Sequence, residues 1–190
     1  MDPKCVVIFS GKRKSGKDFI TEKLIENLGN DAATIVRISA PIKKHWAELH
    51  NLDLDQLLDA TAYKEQHRLA MIEWSEKERA RDYGIFCRSA AENAKGLNKP
   101  VWIVSDARRK SDLKWFGENY GDIVRTVRVF ADDQIRMKRG WKFTAGVDDV
   151  ASECDLDDVT DWSWQVYNNG SSEDITNFLA DLEAWIKRSL

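Results

Sequence analysis

The chain has 190 residues, of which 43% are hydrophobic and 32% charged, and its formal net charge is -3. That is enough chain for one well-buried core, and the composition excludes the disordered and fibrous classes. The near balance of charge gives no general basic excess of the kind long nucleic acid attracts, and no apolar run approaches the roughly 20 residues that span a bilayer.

Neither nucleic acid nor a membrane is therefore expected as a partner. Cys5, Cys87 and Cys154 are far apart and form no C-x-x-C pair, which supports neither a disulfide framework nor a zinc site. A reducing compartment is the expectation. The cytoplasm is preferred to the peroxisome, because the terminal Arg188-Ser189-Leu190 only approximates the S-K-L address.

In chain order, "CVVIF" (5–9) is a nearly continuous apolar run, the pattern of a strand buried on both faces in a parallel sheet. Glycine-punctuated "SGKRKSGK" follows, and then "DFITEKLIENLG" places Phe19, Ile20, Leu24, Ile25 and Leu28 on one helical face before Gly29 and Asn30 end it. "TIVRIS" (34–39) is the second predicted strand. Residues 41–97 carry helical periodicity and no convincing strand, which predicts a helical insertion able to close over a ligand. "VWIVS" (101–105), "RTVRVF" (125–130) and "WSWQVY" (162–167) are the remaining strands. A capped amphipathic helix closes the chain, with Ser171 or Ser172 as cap, acids in its first turn, and Lys187 and Arg188 in its last. The expectation is one α/β domain, with a core at 1–40 and 98–190, a helical insertion at 41–97 and a lid at about 132–150.

Gly11 to Lys17 reads G-K-R-K-S-G-K, the phosphate-binding spacing G-x-x-x-x-G-K, in the required place between a buried strand and a helix. Glycines there let successive N–H groups turn inward on a polyphosphate, and the helix directs its positive end at the same oxygens. Lys17 would reach the β and γ phosphates. Asp18 stands where a hydroxyl residue usually ligates Mg²⁺; its carboxylate could hold the ion, or could simply suit the first helical turn. Asp106, at the end of the third strand, is a second candidate metal ligand. Beside it Arg108 and Arg109 suit bidentate phosphate capture or form a solvated turn.

Arg136 and Arg139 lie three apart on a helical pattern and fit either a lid that closes on the transferring group or surface pairs with Asp132 and Asp133. The acidic run "GVDDVASECDLDD" reads as a solvated loop. Asn168 or Asn169 could meet a base edge, or Asn-Gly could merely make a turn. The eight tryptophans are spread along the chain and read as packing residues.

Taken together, "FSGKRKSGKDFI", "TAYKE", "SDARRKSD", "KRGWKFTAGVDD" and "NNG" resemble the animal-type phosphomevalonate kinases over nearly the whole chain. The resemblance implies a three-layer P-loop fold like that of nucleoside monophosphate kinases, with a five-stranded parallel sheet between helices. It implies transfer of the γ-phosphate of ATP to (R)-5-phosphomevalonate; Mg²⁺ is the expected cofactor and a monomer the expected state.

By the same carry-over, Lys12, Arg13, Lys14, Ser15, Gly16, Lys17 and Asp18 match the ATP loop, while Arg139 and Asn168 match nucleotide-side positions. Arg79, Arg88, Arg108 and Arg109 match acceptor-side arginines, and Tyr63 and Lys64 are assigned to the acceptor on resemblance alone. Lys17, Arg13, Arg139 and Asp18 are the expected catalytic set. A phosphomonoester acceptor is mostly a dianion at neutral pH, so no general base is needed, only enough positive charge to bring two anions together. The rivals are a kinase acting on another small molecule or on a nucleoside monophosphate, and an ATP-dependent RNA- or partner-binding module.

Overall fold

The computed structural model describes residues 2–58 and 62–190, without the side chain of Lys64. Among these, β1 (Cys5–Ser10), β2 (Ala33–Val36), β3 (Val101–Val104), β4 (Val124–Phe130) and β5 (Trp164–Tyr167) form one parallel sheet in the order β2-β3-β1-β4-β5. β1 is central and buried at every residue, which is why its sequence is apolar without alternation. Its odd-numbered side chains, Cys5, Val7 and Phe9, pack under α1 (Lys17–Leu28) and the C-terminal helix, together with Ile20, Leu24, Phe178 and Leu182. Val6 and Ile8 point to the opposite face, against Phe86, Ala90, Trp102 and Phe116. Both faces are thus covered, as a parallel sheet requires.

Residues between β2 and β3 form α2 (Ser39–His50), α3 (Leu54–Leu58), α4 (Ala62–Arg81) and α5 (Ile85–Gly96). α5 serves the main core, whereas Trp46, Ala47, Leu57 and Met71 form a small core of the insertion itself. After β3 come α6 (Lys110–Tyr120), then β4, α7 (Asp133–Lys138), the short α8 (Ala151–Cys154), β5 and α9 (Ser172–Ser189).

Three details differ from expectation. The second strand, expected over 34–39, ends at Val36, and Ser39 already opens α2. Phe19, grouped with the buried face of the first helix, is 55% exposed, because the sheet-facing stripe of α1 runs through Ile20, Thr21 and Leu24. Trp162, counted in the fifth strand, lies before it and donates its indole N–H to the Val159 carbonyl at 2.8 Å. At the other end of that segment the choice of cap resolves to Ser171, whose hydroxyl accepts the Asp174 N–H at 3.1 Å.

The parallel arrangement brings the carboxyl ends of β1, β3 and β4 to one edge. In an open α/β sheet ligands bind beyond that edge. The loop after β1, Ser105 to Arg109 after β3, and the residues preceding α7 all emerge there.

Candidate active site

The carbonyls of the loop between β1 and α1 have no sheet or helix ladder to pair with, so they must find other donors. Each does. The Lys17 ammonium donates to the Gly11 carbonyl at 2.6 Å and to that of Lys12 at 3.4 Å. Arg136 Nε donates to the Arg13 carbonyl at 2.9 Å, and Arg139 Nη1 donates to those of Lys14 and Ser15 at 3.3 and 3.0 Å. Asn168 Nδ2 reaches the Ser15 carbonyl at 3.0 Å, while its own oxygens receive Arg139 Nη2.

Gly16 has φ 94°, and a Cβ built there would collide with Asn168 Nδ2. Glycine is needed twice at this point, for the backbone angle and for the approach of the side chain that braces the loop. Lys14 also sits at φ 61°, so the loop contains a strained non-glycine residue that its bracing must hold.

Arg136, Arg139 and Asn168 therefore act on the backbone of the loop. Arg136 is 5% exposed, stacks 3.9 Å from the Trp141 ring centroid and pairs with Asp133 at 2.7 Å. Neither arginine lines the cavity on the Arg108 side of the loop, whereas Arg136 lines a second one on its other side with Lys12, Ser15 and Arg128. Asn168 is buried and committed to the same task, and Asn169 accepts the Asp132 N–H at 2.9 Å, which joins the residues before α7 to the turn after β5.

Lys17 is 7% exposed. Burial, reinforced by the charge of Arg108, pulls its ammonium down from 10.5 to about 7, against the opposing pull of Glu153, Asp18 and Asp106. The neutral amine can persist where water is scarce, and an anion arriving at the loop restores its charge.

Beside the loop lies a cavity of about 190 Å³ whose walls carry Arg13, Lys43, Arg68, Arg79, Arg108 and Arg109 together with apolar Ile42, Met71 and Ile72. The segment that leaves β3 at Ser105 delivers both Arg108 and Arg109 to it. Asp112, fully buried, accepts the backbone N–H groups of both at 2.9 and 3.0 Å and pairs with Arg79 at 2.6 Å. One carboxylate thus starts α6 and sets three of the cavity's arginines. Arg109 pairs with Glu76, yet its Nη1 is buried with no partner among the described residues, as is Ser15 Oγ in the loop. Unpaired buried donors of this sort are costly unless something meets them.

The segment read as a solvated acidic loop instead ties the site together. Lys12 pairs with Asp157 at 2.6 Å and Arg13 with Asp148 at 3.0 Å, and Glu153 accepts from both the Arg13 backbone N–H and the Arg108 guanidinium. Burial alone would raise the Asp148 carboxyl, but the Trp141 indole, the Thr144 N–H and the charges of Arg13 and Arg136 hold it below its ordinary value. Asp157 also pairs with Arg128, a buried arginine of β4 bonded to Ser10. Arg68, Arg128 and these carboxylates escaped the sequence reading. The usable signal was complementarity between residues 148–158 and the basic loop.

Among the expected acceptor residues, Arg79, Arg108 and Arg109 meet at the cavity. Arg88 does not: it lies half-exposed on the first turn of α5, pairing with Asp82. Tyr63 packs on the insertion core with its ring 5.0 Å from His67, and Lys64 falls outside the described side chains.

Asp18 is exposed at the start of α1. Asp106 accepts the Ile38 and Ser39 N–H groups at 2.7 and 3.0 Å, so it anchors the start of α2 to the end of β3. Among the described residues no three His, Cys, Asp or Glu side chains gather as a metal cage.

A parallel sheet of this order, with a glycine loop and buried lysine at the end of its central strand and an arginine-lined cavity alongside, defines a P-loop phosphotransferase. The family profile for phosphomevalonate kinase matches residues 9–122. A curated phosphomevalonate kinase from Drosophila melanogaster is 53% identical over 158 residues, covering 82% of this chain and 83% of that one. The chain belongs to the phosphomevalonate kinase family. Its fold is similar to the solved structure of TT1252 from Thermus thermophilus, with TM-score 0.58 and 18% identity over 96% of this chain and 98% of the other.

Proposed function

We propose that this chain transfers the γ-phosphoryl group of ATP to (R)-5-phosphomevalonate, yielding 5-diphosphomevalonate and ADP. The observation that carries the reading is the cavity in which Arg79, Arg108 and Arg109 face the Arg13 side of the phosphate loop, with apolar Ile42, Met71 and Ile72 between cations. Such a lining suits a small, branched, carbon-bearing anion better than a planar base, which would call for aromatic stacking. The buried, unpartnered Nη1 of Arg109 supplies a donor for its phosphate.

The acceptor arrives with its second phosphate proton mostly lost, so the attacking oxygen needs no base. The protein must instead overcome repulsion between two anions and stabilise charge on the equatorial oxygens. Loop amides take the β-phosphate side, Lys17 takes the transferring group, and Arg108 lies close enough to depress the Lys17 ammonium, so both cations converge there. Arg136, Arg139 and Asn168 contribute by holding the loop in shape.

Mg²⁺ held at this site would supply positive charge against the phosphates. Asp18, exposed beside Lys17, would hold it directly or through a retained water, whereas both oxygens of Asp106 are taken by the Ile38 and Ser39 N–H groups, so Asp106 would act on it through its charge alone. The test is purified protein with Mg-ATP and, separately, phosphomevalonate, mevalonate, UMP and AMP. ADP release with phosphomevalonate alone is expected; equal turnover with UMP or AMP refutes the acceptor assignment.

A further inference from the structure

Glu153 is 7% exposed, and its two carboxylate oxygens are both engaged: Oε1 takes the N–H of Arg13, and Oε2 takes the guanidinium of Arg108. These two donors come from different segments and meet on one carboxylate in the cavity wall. Either would serve a phosphate oxygen equally well, since both favour anions. The glutamate sits on α8, a four-residue helix between a buried anchor, Asp148 on Arg13, and a set of partly exposed ion pairs, Lys12 and Arg128 on Asp157 and Lys110 on Asp158, so it can swing about the Asp148 end. Val147 and Ser152 flank it in the cavity wall.

We infer that Glu153 is a built-in competitor for the phosphate seat between the loop and Arg108, and that the acceptor phosphate must displace it to bind. This rests on the phosphotransferase reading of the cavity. The exchange is one of like for like: an incoming dianion takes over charge-assisted bonds to Arg13 and Arg108, and Glu153 leaves with α8 for solvent. It makes entry selective, because a neutral alcohol offers nothing to replace the carboxylate and leaves Arg108 paired. It also couples acceptor binding to movement of residues 148–157, which hold Lys12 and Arg13, so the loop's own side chains are released to the nucleotide in the same event. Glu153 thereby acts as a positioning residue that sets which ligand opens the site.

The experiment compares wild-type and Glu153→Gln protein by calorimetric titration with pyrophosphate and with phosphomevalonate. Removing the competing charge should tighten both by about tenfold, the scale of one charge-assisted bond. Unchanged or weaker binding overturns the inference, because it would mean that Glu153 supports Arg108 and does not compete for it.

Should Glu153→Gln fail to fold, the wild-type protein carries its own reporter. Cys5 and Cys87 are fully buried, while Cys154, next to Glu153, is half-buried with its thiol on the Asp148 carbonyl at 3.3 Å. Displacement of α8 predicts that saturating phosphomevalonate or pyrophosphate accelerates thiol labelling at Cys154 several-fold. A slowed or constant rate overturns it. Pyrophosphate reports on the competition whatever the acceptor is, whereas absence of phosphomevalonate-dependent ADP release strikes only at the acceptor reading.

Discussion

Because burial holds the Lys17 ammonium near 7 in place of 10.5, nucleotide binding must carry a proton with it. At pH 8 a group of that pKa is roughly 90% neutral, and a polyphosphate at the loop restores the charge, so Mg-ATP binding should take up about 0.9 proton there and about 0.1 at pH 6. The same arithmetic makes the apparent Kd rise about fivefold between pH 7 and pH 8, since the charged fraction falls from about one half to about one tenth. Calorimetry of Mg-ATP binding in buffers of different ionisation enthalpy measures the proton directly. Lys17→Arg, which cannot lose its charge, should bind with no proton uptake and a flat pH profile.

The sign extends to stability. A lysine depressed in the folded state binds fewer protons there than when unfolded between about pH 7 and 10.5, so unfolding free energy should rise with pH across that window and the rise should vanish in Lys17→Met. Uptake below about 0.3 proton at pH 8 would show Lys17 already charged, and the argument from burial would be wrong.

Gly16→Ala should abolish detectable ATP binding with the far-ultraviolet circular dichroism spectrum intact, because a Cβ meets Asn168 and the loop must deform at φ 94°; retained affinity would mean the bracing is dispensable. Asn168→Ala removes one of the two donors to the Ser15 carbonyl and the side-chain oxygen on Arg139 Nη2, and should cost about 1 kcal/mol in urea unfolding, with a higher ATP KM. Arg108→Ala should raise the phosphomevalonate KM at least about tenfold while stranding buried Glu153, and adding Glu153→Gln should restore stability without restoring that KM. If Asp18 is the freer metal-side carboxylate, Asp18→Ala should raise the Mg²⁺ concentration for half-maximal turnover, whereas Asp106→Asn should act chiefly on stability through the start of α2.

Much of this was readable from residue order alone. Continuous apolar runs at 5–9 and 101–105 predicted strands covered on both sides, and β1 and β3 are buried at every residue. The G-K-R-K-S-G-K spacing set the loop, its lysine and the helix behind it, because those features are local in the chain. The first helix was less well served: its periodicity admitted Phe19 to the buried face, and only the position of the sheet decided that Ile20 and Thr21 face inward.

Charge was the harder quantity to place. Sequence supplied an acidic run and a basic loop more than a hundred residues apart, each of which reads as solvated when taken singly. Folding beyond the edge of β1 and β3 puts Asp148, Glu153 and Asp157 on Arg13, Arg108 and Lys12. It also turns Arg136, Arg139 and Asn168 onto loop carbonyls that have no ladder partner of their own. Arg88 shows the converse, an arginine assigned to the acceptor by family resemblance that the first turn of α5 places against Asp82. Local order settled what the loop is; long-range pairing settled which charges it meets, since Coulomb partners are chosen by distance in space and leave no fixed spacing along the chain.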